Sequence, residues 1–208
     1  PTTLGYLALP DLAIGRLVET PEEIATTIDA FITLDGQITL DSLVTADIFT
    51  SGYTFLNDSA TSIDLKYDAS YVVDHLLSDS WTGDQLKNAI FSDPHRINSI
   101  NGHSNHYTLF TPDRGVSSTE MNSSYPGLAL NGTVFYNVGC HGGLNVPSDF
   151  ANNFDLPQMM MQKGVLSYIG NTGFGWGLKE GSGYSETLME LVTDKILYYD
   201  QASLGKAI

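Results

Sequence analysis

Residues 132–143 read GTVFYNVGCHGG, and this stretch decides the fold class. The apolar run from Gly132 to Val138 is typical of a buried strand, and it ends in a glycine-flanked turn that holds Cys140. Helical patterns lie between most of the predicted strands. Because alternating strands and helices build a parallel sheet with helices on both faces, we expect a three-layer α/β/α fold. In such sheets, ligands bind beyond the carboxyl ends of the strands.

The rest of the chain shows the same alternation of strand and helix. Each of the other predicted strands also ends near a turn rich in Gly, Asn or Asp. The predicted strands are Leu43 to Thr50, Ile97 to Asn101 and Val165 to Ile169, and the predicted helices are Ala69 to Leu77, Phe150 to Gln162 and Tyr184 to Tyr199. In the last of these helices Leu188, Leu191, Val192 and Ile196 are expected on one face.

A further helix is indicated by the cap at Thr20-Pro21-Glu22-Glu23. A cap residue, a proline at the first helical position and a glutamate at the third form a capping box. Apolar residues then recur with helical spacing at Ile24, Ile28, Phe31 and Ile32. The cap and the spacing together predict a helix.

Composition limits the classes of protein and partner. The chain has 208 residues, 42% of them hydrophobic, which is sufficient for a single domain over residues 1–208 with its own core. Its formal net charge of −15 would repel a phosphate backbone, so we expect no nucleic-acid partner. No segment has the length of apolar residues that a membrane helix needs. The start at Pro1 and the end at SLGKAI indicate a piece of a longer protein whose remaining domains are expected partners.

The residues at two strand ends suggest a nucleophile and a base. Cys140, the only cysteine, follows one predicted strand, and His103 follows another in the turn Asn101-Gly102-His103. If these strands are neighbours, about 4.8 Å apart, the thiol and the imidazole reach one substrate carbonyl. A lone cysteine after a strand is also typical of a buried small side chain, and a histidine beside glycine is typical of an ordinary loop.

Two other kinds of site fit the residues less well. A nucleophile elbow of the α/β-hydrolase type needs a small residue two positions before the nucleophile, where this chain has Val138. A zinc site would have to combine Cys140 with the nearby histidines, whose spacing matches no usual zinc framework. Those histidines are His103, His106 and His141.

The chain resembles the gingipain-type cysteine peptidases of the caspase-like clan, from about Leu9 to Ile208. The resemblance rests on the Gly15-Arg16-Leu17 segment with its helix, the Gly102-His103 turn, residues 138–143 (VGCHGG) and residues 171–176 (NTGFGW). It implies a mostly parallel sheet that is six-stranded in the complete catalytic domain, with the first strand or two expected before Pro1. It also implies peptide-bond cleavage by a thiol and a secreted or cell-surface location.

The resemblance assigns roles to particular residues. Cys140 matches the nucleophile and His103 the general base, while the backbone N–H groups of Cys140 and Ser104 match the oxyanion site. Family members commonly have glycine where this chain has Ser104. Asp47 is the positional match for the carboxylate that orients the histidine. Its other interpretation is a strand-end residue that binds nearby backbone.

The resemblance also implies a first-subsite pocket for a basic residue. Asp58 matches the acid at the base of the pocket and Trp176 the tryptophan on its wall, so the expected substrate is a protein or peptide with Arg or Lys before the cut. A carboxylate pairs well with either cation, and indole stabilises it further. Asp58 is also suited to capping the turn Asn57-Asp58-Ser59.

Three readings of function are therefore left by the sequence. The first is a cysteine endopeptidase that requires no cofactor, with structural Ca²⁺ as in some relatives, although no contiguous calcium loop is present. The second is a non-catalytic module that has kept a peptidase-like fold. The third is a thiol hydrolase that acts on a non-peptide acyl group through the same Cys140 and His103.

Overall fold

Five parallel strands form the central sheet, seen in a computed structural model that describes residues 16–18, 20–35, 47–67, 71–147 and 154–198. The order across the sheet is β2-β1-β3-β7-β8, and three short strands, β4-β5-β6, make a separate antiparallel sheet. The strands are β1 (Ile48–Gly52), β2 (Val73–Leu77), β3 (Ile97–Asn101), β4 (Ser104–Asn105), β5 (Thr108–Phe110), β6 (Gly115–Ser117), β7 (Val134–Asn137) and β8 (Ser167–Gly170).

Six α-helices connect and cover these strands in the described part of the chain. They are α1 (Pro21–Thr33), α2 (Asn57–Asp64), α3 (Gly83–Lys87), α4 (Ser118–Ser124), α5 (Leu156–Gln162) and α6 (Ser185–Tyr198). A 3₁₀ turn at Thr54–Leu56 precedes α2, and a π turn at Asn88–Ser92 follows α3. None of the helices seen here combines the length and the apolar composition that a membrane crossing requires.

Apolar side chains cover both faces of the sheet. Successive side chains of a strand point to opposite faces. Phe49 of β1 accordingly packs with Leu86 and Met159 in one core, while Ile48 packs with Ile63 and Val192 in the other. The first core is covered by α3 and α5, and the second by α2 and α6. The predicted fold class, a mostly parallel α/β sandwich, is confirmed.

The predicted capping box starts α1, but the apolar residues with helical spacing do not form the buried face of this helix. Thr20 Oγ1 accepts from Glu23 N at 3.3 Å, and the Glu23 carboxylate accepts from Thr20 N at 2.8 Å. The buried positions of α1 are Glu23, Thr27 and Ala30. Ile28, Phe31 and Ile32 are exposed. Hydrogen bonds from α5 to Glu23 explain this rotation of the helix, because Gln158 and Gln162 both donate to its carboxylate.

The segment predicted as a helix from Ala69 to Leu77 contains β2 instead. Val73 pairs with Ile48 and Leu77 with Gly52, in parallel register. Pairing with β1 overrides a weak helical spacing, and the β-branched side chains of Val72 and Val73 suit a strand. Ala69 and the residue after it lie outside the described residues.

Other boundaries moved by a few residues. The strand predicted from Leu43 to Thr50 is described from Ile48 onward, and Leu43–Ala46, like Gly15, Phe150–Asn153 and Tyr199, lie outside the described residues. Helix α2 was not predicted at all. On α6 the buried apolar residues include Met189, Val192 and Ile196, whereas Leu188 and Leu191 are exposed.

Candidate active site

The carboxyl ends of β3 and β7 are adjacent, and the turns that follow them touch. Ile100 of β3 pairs with Asn137 of β7, and Val138 N donates to Ile100 O at 3.1 Å. At the next residue, a Cβ on Gly139 would lie 2.7 Å from Gly102 O and would overlap Ser104 Oγ. Only glycine fits at this crossing. The sequence therefore brings the histidine turn and the cysteine turn together, as predicted from the strand ends.

Ser104 joins the two turns through its side chain. Its hydroxyl donates to Cys140 O at 3.0 Å and accepts from Asn137 Nδ2 at 3.4 Å. Phe110 N donates to His103 O, which makes Ser104 and Leu109 a non-hydrogen-bonded pair. The N–H of Ser104 therefore points away from β5.

Cys140 lies half-buried at the end of the β7 turn. Its thiol donates to Gly175 O at 3.6 Å. The N–H of Cys140 has no acceptor among the described residues. The preceding residue is fixed, since Gly139 N donates to Asn137 Oδ1 at 2.8 Å. An N–H group without an acceptor, on a positioned backbone, is the donor that an oxyanion requires.

His103 is exposed beside two aromatic rings. Its imidazole meets Phe55 and Tyr53 edge-on, with ring centroids 5.7 and 6.0 Å apart. The backbone N–H of His103 donates to Tyr53 Oη at 3.3 Å. Burial raises the pKa of Tyr53, and this hydrogen bond partly offsets the rise. The ring nitrogens of His103 have no hydrogen bond within the described residues, so they are accessible to a substrate or a thiol.

The other two histidines near the site are already engaged elsewhere. His141, at φ +53°, places Nδ1 3.2 Å from Thr172 O and packs edge-on against Phe174. His106 lies in the turn between β4 and β5 against Tyr107. In the part of the chain that the structure describes, these histidines form no cluster with Cys140 at metal-ligand spacing.

Asp47 lies at the wrong end of the sheet to orient His103. Its carbonyl accepts from Ile97 N at 3.0 Å, which places it beside the start of β3. His103 lies beyond the other end of that strand, six residues on (103 − 97), or about 20 Å at the usual rise of about 3.3 Å per residue. The prediction that Asp47 orients the histidine is wrong, because the strand starts after Asp47 and does not end there.

Asp58 and Trp176 do not form a buried pocket. Asp58 is exposed in the first turn of α2, where its carboxylate accepts from Gly181 N at 3.0 Å. Trp176 is 64% exposed, although its backbone is fixed by Ser185. The prediction of an acid at the base of a deep pocket is wrong for Asp58. Trp176 nevertheless lies on the loop of residues 171–184, and Asp58 binds that loop. The same loop supplies the Gly175 carbonyl.

Three polar residues hold the site together, and sequence reasoning gave none of them this role. Asn137 links Gly139 to Ser104 and to Tyr168 Oη, whose pKa is raised by burial. Asn171 Nδ2 donates to Val138 O at 2.7 Å. The carboxylate of Glu186 accepts from Leu178 N and Gly183 N, which closes the 171–184 loop. An asparagine at the end of a strand was the signal for both residues.

An apolar cavity of about 490 Å³ opens along β8, beside the cysteine turn. Its wall includes Gly143 and Leu144, which follow the cysteine turn, and Tyr168 of β8. The opposite wall includes Arg16 and Leu17 from the segment before α1. A mostly apolar lining suits an apolar side chain better than a cation.

Comparison with known proteins adds no assignment. The sequence matches no family model, and it matches no curated protein.

Proposed function

We propose that the protein is a cysteine-type endopeptidase that uses Cys140 as the nucleophile and His103 as the general base. The observation that supports this most is the contact between the two strand-end turns, at Gly139 and Gly102. This contact holds a thiol and an unbonded imidazole at one edge of the sheet. The resemblance of these turns to gingipain-type peptidases favours peptide bonds as the substrate.

The proposed reaction begins with transfer of the thiol proton to His103. The thiol leaves the Gly175 carbonyl, and the sulfur attacks the peptide carbonyl carbon. The N–H groups of Cys140 and Ser104 bind the oxyanion that forms. His103 returns the proton to the leaving amine as the C–N bond breaks, and water, deprotonated by His103, then hydrolyses the thioester.

The imidazole has no carboxylate partner in this proposal. The edges of Tyr53 and Phe55 restrict the orientation of the ring instead, and the hydrogen bond from His103 N to Tyr53 Oη fixes the backbone beneath it. Cysteine is a few per cent thiolate at neutral pH and is intrinsically nucleophilic, so it needs less assistance from a base than serine does.

Cleavage after Arg or Lys is the proposed specificity, and it rests on charge. The net charge of −15 attracts cationic peptides. Asp58 contributes to this field as an exposed carboxylate, not as the floor of a pocket. The apolar cavity beside β8 favours a hydrophobic residue elsewhere in the same peptide.

The test is covalent labelling by thiol-directed peptidyl probes, read by intact-protein mass spectrometry. Probes with Arg, Lys, Asp or Leu at the first subsite are compared on the wild type, Cys140→Ala and His103→Ala. We expect one label per chain from the Arg and Lys probes, none in Cys140→Ala, and labelling at least tenfold slower in His103→Ala. His106→Ala is the matched control and should label at the wild-type rate.

Other outcomes point to other functions. Labelling of wild type by no probe, with the fold intact by circular dichroism, contradicts the peptidase and favours a non-catalytic module. Hydrolysis of small thioesters or esters, without cleavage of any peptide, favours a thiol acyl hydrolase. Equal labelling by all four probes supports Cys140 as the nucleophile but contradicts the specificity for Arg or Lys.

A further inference from the structure

A histidine and two aspartates form a compact cluster at the edge of the sheet opposite Cys140. Asp74 is the second residue of β2, while Asp93 and His95 lie just before β3. One ligand-type atom from each residue lies within 4.8 Å of the other two. This cluster plays no part in the proposed reaction.

Both ring nitrogens of His95 face oxygen atoms. The side chain is 1% exposed, with Nδ1 3.2 Å from Ala89 O and Nε2 3.1 Å from Asp74 Oδ2. A neutral imidazole carries one N–H, so either tautomer leaves a lone pair facing an oxygen. A metal ion on Nε2, with the proton on Nδ1, is one arrangement that avoids this repulsion. The ring also packs against Phe49, which fixes its orientation.

Asp93 adds a second carboxylate to the cluster. Its carboxylate has no hydrogen bond or ion pair within the described residues. Among the same residues, Asp74 pairs with His95 and with no lysine or arginine. One imidazolium would neutralise one of the two carboxylates, whereas a divalent cation neutralises both. The cluster therefore presents one imidazole nitrogen and two carboxylates together, which are ligand types that divalent transition metals take.

We propose that Asp74, Asp93 and His95 bind a zinc-like divalent transition-metal ion, with water completing the coordination. Two ligand atoms each about 2.0–2.1 Å from zinc and 3.1 Å apart subtend an angle of about 100°, close to tetrahedral. The imidazole selects against Ca²⁺ and Mg²⁺, which take oxygen ligands. Donation from Nδ1 to Ala89 O is the outer hydrogen bond that orients a metal-bound histidine.

The ion has a structural role in this proposal. β2 is an edge strand, and β1 separates it from β3. A metal that links Asp74 to Asp93 and His95 clamps the edge strand to the segment before β3, across β1. Binding to the folded state alone stabilises that state, so the ion raises the melting temperature of the chain.

The test uses the full chain in a Cys140→Ala background, so that the thiol cannot compete for the metal. Protein freed of metal by chelation is titrated with ZnCl₂ by calorimetry at pH 7.5, and with CoCl₂ by visible absorption. We expect one zinc site, a low-coordinate cobalt spectrum and a higher melting temperature with Zn²⁺. CaCl₂ and MgCl₂ should reproduce none of these.

Exposed ligands supply the decisive variants, because His95 is buried and its loss could unfold the chain. We expect Asp74→Asn and Asp93→Asn each to weaken zinc binding by about tenfold or more. Asp29→Asn, an exposed carboxylate of α1, is the matched control and should bind as the parent does. Absence of saturable zinc binding, or binding unchanged in both Asp74→Asn and Asp93→Asn, would overturn the proposal.

Discussion

A single missing side chain, at Gly139, determines how closely the histidine and cysteine turns approach. Its position two residues after β7 could be predicted from the sequence, as could the adjacency of the two turns, because parallel strands end at a common edge. The partners of those side chains could not be predicted. Asp47 was chosen by its distance along the chain, and the strand that would have ended there begins after it.

We expect Gly139→Ala to lower the free energy of unfolding by about 1–3 kcal/mol, because the added methyl group meets the Gly102 carbonyl and must displace backbone. Probe labelling of Cys140 should be lost as well. Urea denaturation and mass spectrometry measure the two effects. Gly173→Ala is the control, since a Cβ there meets no atom within 4 Å. If both variants had the same stability and the same labelling, the close contact between Gly139 and Gly102 would be contradicted.

Ser104 is expected to affect catalysis indirectly, because its side chain holds the backbone of Cys140 in place. Ser104→Ala removes the hydrogen bond to Cys140 O and should lower the free energy of unfolding by about 1 kcal/mol. Because this bond positions the neighbouring N–H donor, kcat should fall while KM changes little. Ser123→Ala also removes a serine-to-carbonyl hydrogen bond, far from the site, and should leave kcat unchanged. If Ser123→Ala lowers kcat as much, the positioning role is wrong.

At the scale of elements, apolar spacing predicted that α1 and α6 are helices, but it did not predict which face of each helix is buried. The start of α1 was predicted from a local capping box, which needs no tertiary information. Its buried face was not predicted, because the hydrogen bonds to Glu23 come from α5, distant in sequence. The assignment of β2 failed for a related reason: its ladder partners lie in β1, and a window along the chain does not contain them.

Charged side chains tie α3, the β5–β6 turn and α4 together. Arg114 binds both carboxylate oxygens of Glu120 at 2.9 Å, and Lys87 Nζ lies 2.7 Å from one of them. These partners, Arg114 first, lower the pKa of Glu120 from its ordinary 4.5 to about 2. A lowered pKa in the folded state gives stability that is complete above about pH 4.5 and is lost as the pH falls toward 2.

The expected consequence is an acid-sensitive contribution from Glu120. The wild type should lose more of its free energy of unfolding between pH 5 and pH 2.5 than Glu120→Gln does. Urea midpoints at the two pH values measure the difference. Glu180→Gln removes an exposed carboxylate of the 171–184 loop and should keep the wild-type pH dependence. A Glu120→Gln variant with the same pH dependence as the wild type would contradict the assigned ion pairs.

At the scale of the whole molecule, net charge should control how fast cationic substrates arrive. A protein of net charge −15 attracts a cationic peptide over a distance set by ionic strength. We expect kcat/KM for an Arg-containing peptide to fall several-fold between low and high salt. A neutral peptide of the same length should show little change. Equal salt dependence for the two peptides would remove net charge as the basis of the proposed specificity.

The order of the strands has a consequence for a chain emerging from the ribosome. β1, β3 and β7 are central, and β8 is the last strand of the sheet to be synthesised. The carbonyl that holds the thiol of Cys140 belongs to Gly175, downstream of β8. The cysteine turn is thus translated well before the loop that completes its surroundings. A nascent chain therefore carries the thiol in an unfinished site, which is completed only when the 171–184 loop has emerged and packed against the cysteine turn.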